Sequence, residues 1–142
     1  MKKLVFAFVL LFTIVSCGTK EPQPIKLNVD SCNSCKMTIA NAQYATELIT
    51  DKGRIYKFDD LSCMIQYTKE NSNLSNAKLF VNDYLTPNKF VPVEQAVFLK
   101  GGTIHGPMGG KVVGFSNSAD AQNYQSKLQA GTINWSTLYN SN

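Results

Sequence analysis

The chain has few of the residues that most metal and acid–base sites use, since its 142 residues include one histidine and four cysteines. A zinc site of the Cys₂His₂ type is therefore excluded. Lysine and arginine form no cluster in the folded part, which excludes a nucleic-acid partner. The longest apolar run, Leu4–Val15, has about twelve residues, whereas a permanent membrane-spanning helix needs roughly 20.

The beginning of the chain has the pattern of a secretory signal. Lys2 and Lys3 precede the apolar run, and the small residue Ser16 precedes Cys17. This arrangement resembles the bacterial lipobox, in which the signal is cleaved and the cysteine thiol receives a diacylglyceryl group. We therefore expect Cys17 to be lipidated and the protein to be a periplasm-facing membrane lipoprotein.

The remaining sequence reads as one domain. We predict a signal peptide over residues 1–16, a lipidated cysteine and tether over 17–25, and a compact domain over 26–142. The domain divides into halves of about 26–76 and 77–142 that resemble each other in outline. Removal of the signal reduces the formal charge from +4 to +2, because Lys2 and Lys3 are lost.

The first half predicts a hairpin followed by a helix. Tyr44–Thr50 and Arg54–Phe58 are rich in β-forming residues on either side of a turn. Asp59 or Asp60 is placed to cap a helix that ends near Glu70. An inward helix face is predicted from apolar spacing at Leu61, Met64, Ile65 and Thr68.

The second half repeats this pattern around a glycine-rich loop, Gly101–Gly110. The predicted fold class is thus α+β, with antiparallel strands and one main helix in each half. The predicted elements are strands at Lys78–Val81, Val93–Leu99 and Lys111–Phe115, a helix at Ala119–Leu128 capped by Ser116 or Asn117, and a C-terminal turn packed by Trp135 and Leu138.

Cys32, Cys35 and Met37 form the sharpest local motif. Two thiols three residues apart, with a thioether two residues further on, present three soft donors to one ion. Soft, polarisable ligands favour Cu(I). After lipidation of Cys17 an odd number of cysteines remains, so at least one thiol is outside any intramolecular disulfide.

The Gly-rich loop provides a second group of candidate ligands. His105 and Met108 lie three residues apart, and the glycines around them allow close approach of the backbone to a ligand. A surface turn with an incidental histidine is the alternative. Cys63 and Met64 on the first helix are further candidates, although helical spacing favours core packing for both.

Three functions remain open from these residues alone. A Cu(I) carrier would use the thiols and thioethers together. A thiol–disulfide oxidoreductase would use Cys32 and Cys35, but such enzymes place the motif at a helix N-terminus within a βαβ pattern, and strand-like residues follow it here. A structural zinc protein or simple binding module would leave the methionines unexplained.

The ordered set of motifs resembles the NosL family, the nitrous oxide reductase accessory lipoproteins. One departure is Lys36, where the family commonly has glycine. The motifs that carry the resemblance are the lipobox at Cys17, Cys32-x-x-Cys35-x-Met37-x-Ile39, Phe58-Asp59-Asp60-Leu61-x-Cys63-Met64, Val81-Asn82-Asp83-Tyr84, Ala96-Val97-Phe98, Gly106-Pro107-Met108-Gly109-Gly110, Gly114-Phe115 and the closing segment with Trp135.

The resemblance implies a fold of two similar ββαβ units, distantly like the treble-clef part of organomercurial lyase. It implies a non-enzymatic Cu(I) metallochaperone that hands copper to the assembly proteins of nitrous oxide reductase, namely an ABC transporter complex and its periplasmic component. Cys35, Met37 and Met108 match the family's cysteine–methionine and Pro-Met-Gly elements, and His105 and Cys32 would complete the ligand set.

Overall fold

The computed structural model describes residues 20–141, so the predicted signal and Cys17 lie outside the described residues. No helix within residues 20–141 has both the length and the hydropathy needed to cross a bilayer. The elements are β1 (Thr46–Ile49), β2 (Ile55–Phe58), α1 (Leu61–Glu70), a 3₁₀ turn (Ser72–Leu74), β3 (Lys78–Asp83), β4 (Thr86–Pro92), β5 (Val97–Lys100), β6 (Val112–Phe115), α2 (Ser118–Leu128), β7 (Gly131–Ile133) and α3 (Trp135–Ser141).

The predicted α+β class is confirmed, and the seven described strands belong to one sheet. The strand order is β2-β1-β3-β6-β5-β7, and β4 pairs with β3 off this path. The predicted first half (26–76) contributes β1 and β2, and the second half (77–142) contributes β3 to β7. The two halves meet where β1 pairs antiparallel with β3, and β3 pairs in parallel with β6 at Asp83 and Gly114. A side chain at Gly114 would press on Val81, because a Cβ there would lie 2.8 Å from its Cγ2 atom.

Helix α1 follows the β1–β2 hairpin and packs on it as predicted. Asp60 caps the helix with its side chain, and the four residues of the predicted inward face are all buried. Cys63 is buried as well, so the apolar face is wider than the predicted stripe. The core of the first half combines α1 with Leu48 and Phe58 of the hairpin.

Four elements differ from the sequence prediction. Strand β4 was missed because its first residues are polar and include Pro87, a composition typical of a turn; these residues are exposed. The predicted strand Val93–Leu99 begins only at Val97, since Gln95 and Ala96 donate their amide groups to Pro92 O in a turn. Strand β7 was missed, and the predicted C-terminal turn is helix α3 with Leu138 fully buried.

The segment before the metal-ligand motif is fixed to the sheet. The amide of Gln23 donates to Glu47 Oε2 at 2.9 Å, and Lys57 Nζ donates to Pro24 O at 3.0 Å. Lys57 also forms an ion pair with Asp30 at 2.7 Å. The last residues of the predicted tether are therefore held against β1 and β2.

Glu47 makes the stability of this fold dependent on pH. Burial raises the pKa of its carboxyl from 4.5 to about 7, against the opposing effects of the Gln23 amide and Lys57. The neutral acid is favoured in the folded state, so its contribution to stability is complete below about pH 4.5 and is lost as the pH rises through about 7.

In the wild type the free energy of unfolding should fall between pH 5 and pH 8 as Glu47 ionises. We expect Glu47→Gln to reduce this fall by about 1 to 3 kcal/mol. Urea denaturation at both pH values measures this change. Glu94→Gln, at an exposed position, is the matched control and should keep the wild-type slope. An unchanged slope in Glu47→Gln would contradict the assignment.

Candidate metal centre

The first candidate ligands lie on a short hairpin formed by residues 28–39. Ser31 and Thr38 form a β-bridge, and the amide of Cys32 donates to Met37 O at 2.8 Å. The backbones of Cys32 and Met37 therefore lie opposite each other next to this bridge, with the Cys32 side chain buried and the Met37 side chain exposed.

The tip of this hairpin has a left-handed turn at Lys36, with φ of 66°. Glycine is favoured in that conformation, which explains why a glycine suits the position in the family pattern. Here the Lys36 amide donates to Cys32 O at 3.0 Å, and its Nζ donates to Asn33 O at 2.6 Å. Asn33 also exchanges two hydrogen bonds of 2.8 Å with the backbone of Lys57 in β2. The tip is thus held beside the strand that leads into α1.

This placement brings three thiols together. The sulfur atoms of Cys32, Cys35 and Cys63 all lie within 4.8 Å of one another. Cys32 and Cys63 are buried, Cys35 is half-buried, and all three are free thiols. Two sulfurs bound to one metal ion at about 2.3 Å lie at most about 4.6 Å apart, and three around one ion lie about 4 Å apart. The thiols would therefore have to approach one another by less than about 1 Å to bind one ion together.

The cluster is arranged to hold one thiolate. The Cys63 thiol donates to Cys32 and lowers the pKa of Cys32, and the backbone amides of Asp59 and Cys35 act in the same direction against burial. The same hydrogen bond, together with burial, raises the pKa of Cys63. Burial raises the pKa of Cys35. A bound cation would replace the shared protons and stabilise all three sulfurs as thiolates.

Asp59 lies beside the cluster and was assigned from the sequence only as an alternative helix cap. Its carboxyl is buried, and its Oδ1 has no hydrogen-bond partner among the described residues. Burial raises its pKa to about 6, and the neighbouring charges of Cys32 and Asp60 add to the effect. Its carboxyl oxygens lie outside the group of three thiols that could hold one ion, so Asp59 borders the cluster without belonging to it.

Asp60 connects the thiols to the second candidate segment. One carboxylate oxygen accepts from the Cys63 amide at 3.1 Å, and the other accepts from the Met108 amide at 3.1 Å. The Met108 loop is closed by a 2.6 Å hydrogen bond from Gly106 N to Gly110 O. A Cβ at Gly110 would lie 2.8 Å from Asp60 Oδ2, so only glycine allows the loop to lie this close.

The predicted ligands thus differ in their surroundings. Met37 and Met108 are 52% and 42% exposed, and each follows a segment that is fixed near the start of α1. His105 is exposed and lies outside the group of three thiols. Met64 is fully buried in the apolar core, whereas Cys63 on the same helix joins Cys32 and Cys35.

An α+β domain with three converging thiols has the composition of a soft-metal-binding protein. The chain belongs to the NosL family, since the family model matches residues 24–137. Its fold is similar to the crystal structure of the copper chaperone NosL from Shewanella denitrificans, with a TM-score of 0.69 and 21% identity. That match covers 83% of this chain and 95% of the other. No curated protein matches the chain.

Asp60 both caps α1 and holds the Met108 amide, and substitutions can separate the second role from the first. Asp60→Ala removes the cap of α1, and Asn117→Ala removes the equivalent cap of α2, which lies away from the thiols. Each should lower the free energy of unfolding by about 1 to 2 kcal/mol. Only Asp60→Ala should also shift the NMR signal of the Met108 methyl group, because it frees the Met108 amide. Equal Met108 signals in both variants would contradict this connection.

Proposed function

We propose that this protein is a Cu(I) metallochaperone and not an enzyme. The carrying observation is the cluster of Cys32, Cys35 and Cys63, which places three soft donors within 4.8 Å. Met37 is hydrogen-bonded to Cys32 through the backbone of the hairpin and adds an exposed thioether nearby. Thiolate and thioether ligands together favour Cu(I) over harder cations.

Zinc is the less favoured cargo. Structural zinc sites are closed by four strong ligands, and the described histidine, His105, is outside the thiol group. Cu(I) is satisfied by fewer and softer donors. The exposed thioethers of Met37 and Met108 suit an ion that is passed from ligand to ligand, and they do not need to lose a proton to bind.

The thiol arrangement is unsuited to disulfide exchange. A redox enzyme needs an accessible thiol with a lowered pKa. Here the thiol with the lowered pKa is Cys32, which is 1% exposed, while the more accessible Cys35 has a raised pKa. The motif also lies in a hairpin and not at a helix N-terminus.

Family membership and the sequence of the N-terminus support the biological setting that we propose. The protein is anchored by a lipid on Cys17, faces the periplasm, and delivers copper for assembly of nitrous oxide reductase through an ABC transporter complex and its periplasmic component. The solved relative is described as a copper chaperone, which agrees with this role.

Copper titration of the reduced protein against a Cu(I) chelator tests the cargo and the ligands. We expect one tight equivalent, lost in Cys35→Ser and Cys63→Ser and weakened about tenfold in Met108→Leu, since thioethers are weaker donors than thiolates. X-ray absorption should show a predominantly sulfur shell.

Met64→Leu is the matched control, because Met64 is a fully buried core residue with a volume close to that of leucine. It should bind copper as the wild type does. Unchanged binding in Cys35→Ser and Cys63→Ser would refute the proposed site. Zinc that is retained against excess Cu(I) would favour the structural alternative.

The proposed anchor makes a separate prediction. Cys17→Ser should move the protein from the membrane to the soluble periplasmic fraction, because the diacylglyceryl group can no longer be attached, while copper binding is unchanged. Fractionation with immunodetection measures this shift. Retention of Cys17→Ser in the membrane would show that something other than this lipid anchors the protein.

A further inference from the structure

A groove of about 360 Å³ lies beside the Met108 loop and is distinct from the thiol cluster. The exposed Met108 and the half-buried Val112 of β6 supply its accessible apolar surface, and the buried Leu61 and Ile65 of α1 lie beneath. The Gly109–Gly110 backbone forms part of the lining, so this side is free of bulky side chains. The groove thus offers apolar surface and backbone directly next to a candidate copper ligand.

The exposed charges of this groove are positive. Lys100 at the end of β5 and Lys111 before β6 line it, both exposed, and among residues 20–141 neither has an acidic partner within ion-pair distance. The acidic group in the lining, Asp60, is 2% exposed. Its two oxygens already accept hydrogen bonds from the Cys63 and Met108 amides, so it does not neutralise the lysines.

We propose that this groove binds an acidic segment of the protein that receives the copper ion. The proposal rests on the proposed chaperone function. Carboxylates of the segment would pair with Lys100 and Lys111, and an apolar side chain would lie on Met108 and Val112. Electrostatic complementarity of this kind raises association rates and fixes orientation.

The position of the groove gives docking a direct consequence. Met108 is fixed through its amide to the carboxylate that also holds the Cys63 amide. A segment seated in the groove therefore contacts the exposed Met108. Asp60, which holds the Met108 amide, also holds the amide of Cys63 in the thiol cluster. The recipient would be oriented for ligand exchange before the ion moves.

The test uses the full chain in neutral detergent and two synthetic probes, an aspartate-rich peptide with one methionine and its asparagine counterpart. We expect only the acidic peptide to shift the amide NMR signals of Lys100, Gly110 and Val112 in a saturable way. Raising the salt concentration should weaken binding. The double variant Lys100→Glu/Lys111→Glu should weaken it about tenfold or more.

The double variant Lys52→Glu/Lys78→Glu, at exposed positions outside the groove, makes the same change in net charge and should keep wild-type affinity. Equal binding of the neutral peptide, equal loss in both double variants, or no saturable shift would overturn the proposal. So would equal saturation by acetate, which indicates a small-anion site, or concentration-dependent shifts without peptide, which indicate a second copy of the chain.

Copper titration of Lys100→Glu/Lys111→Glu separates this inference from the proposed function. We expect this variant to bind Cu(I) as the wild type does, since neither lysine lies in the thiol cluster. Loss of peptide binding with copper binding retained supports the groove. A wild-type chain that binds the acidic peptide but no Cu(I) would refute the chaperone function and leave the groove as a docking site.

Discussion

The structure of the candidate site depends on the buried carboxylate of Asp60. A buried charge is costly unless its hydrogen-bonding capacity is satisfied. Asp60 is satisfied by groups from two segments, since the amides of Cys63 and Met108, with Ser62 Oγ, donate to its two oxygens. One residue therefore caps α1 and also fixes a loop 48 positions further along the chain. The separation between the thiols and the Pro-Met-Gly loop is set by this carboxylate and by the absence of a side chain at Gly110.

The second constraint is the hairpin that carries Cys32. In a disulfide oxidoreductase the same Cys-x-x-Cys spacing begins a helix, whose dipole stabilises the first thiolate. Here the spacing bends around a left-handed Lys36, and the tip is bound to β2 through Asn33. The thiolate is stabilised by a donated thiol proton and by backbone amides. A cation can replace that proton, and the burial of Cys32 keeps its thiolate from an external disulfide.

The sequence predicted those parts of the fold that local patterns determine. Asp60 followed by apolar residues at helical spacing predicted α1 correctly, and alternation with a turn predicted β1 and β2. Strand β4 was not predictable, because its polar, proline-containing start is stabilised by pairing with β3 and not by its own propensity. Cys63 was expected from helical spacing to be a core residue. Its approach to Cys32 and Cys35 results from tertiary packing, which helical spacing does not reveal. Asp59 shows the same limit, since no local signal distinguishes it from the capping aspartate beside it.

Burial of the soft donors is graded across the site. Cys32 and Cys63 are buried, Cys35 is half-buried, and Met37 and Met108 are largely exposed. In the proposed function, the buried thiolates would hold Cu(I) away from water, whereas the exposed thioethers would bind it weakly and be accessible to a partner. An ion moving outward would therefore exchange strong inner ligands for weak outer ones, a step that is unfavourable unless the partner's ligands are already in place. If a partner binds next to Met108 as we propose, it supplies them at that position, and the gradient would then retain copper in the free protein and permit release only in the complex.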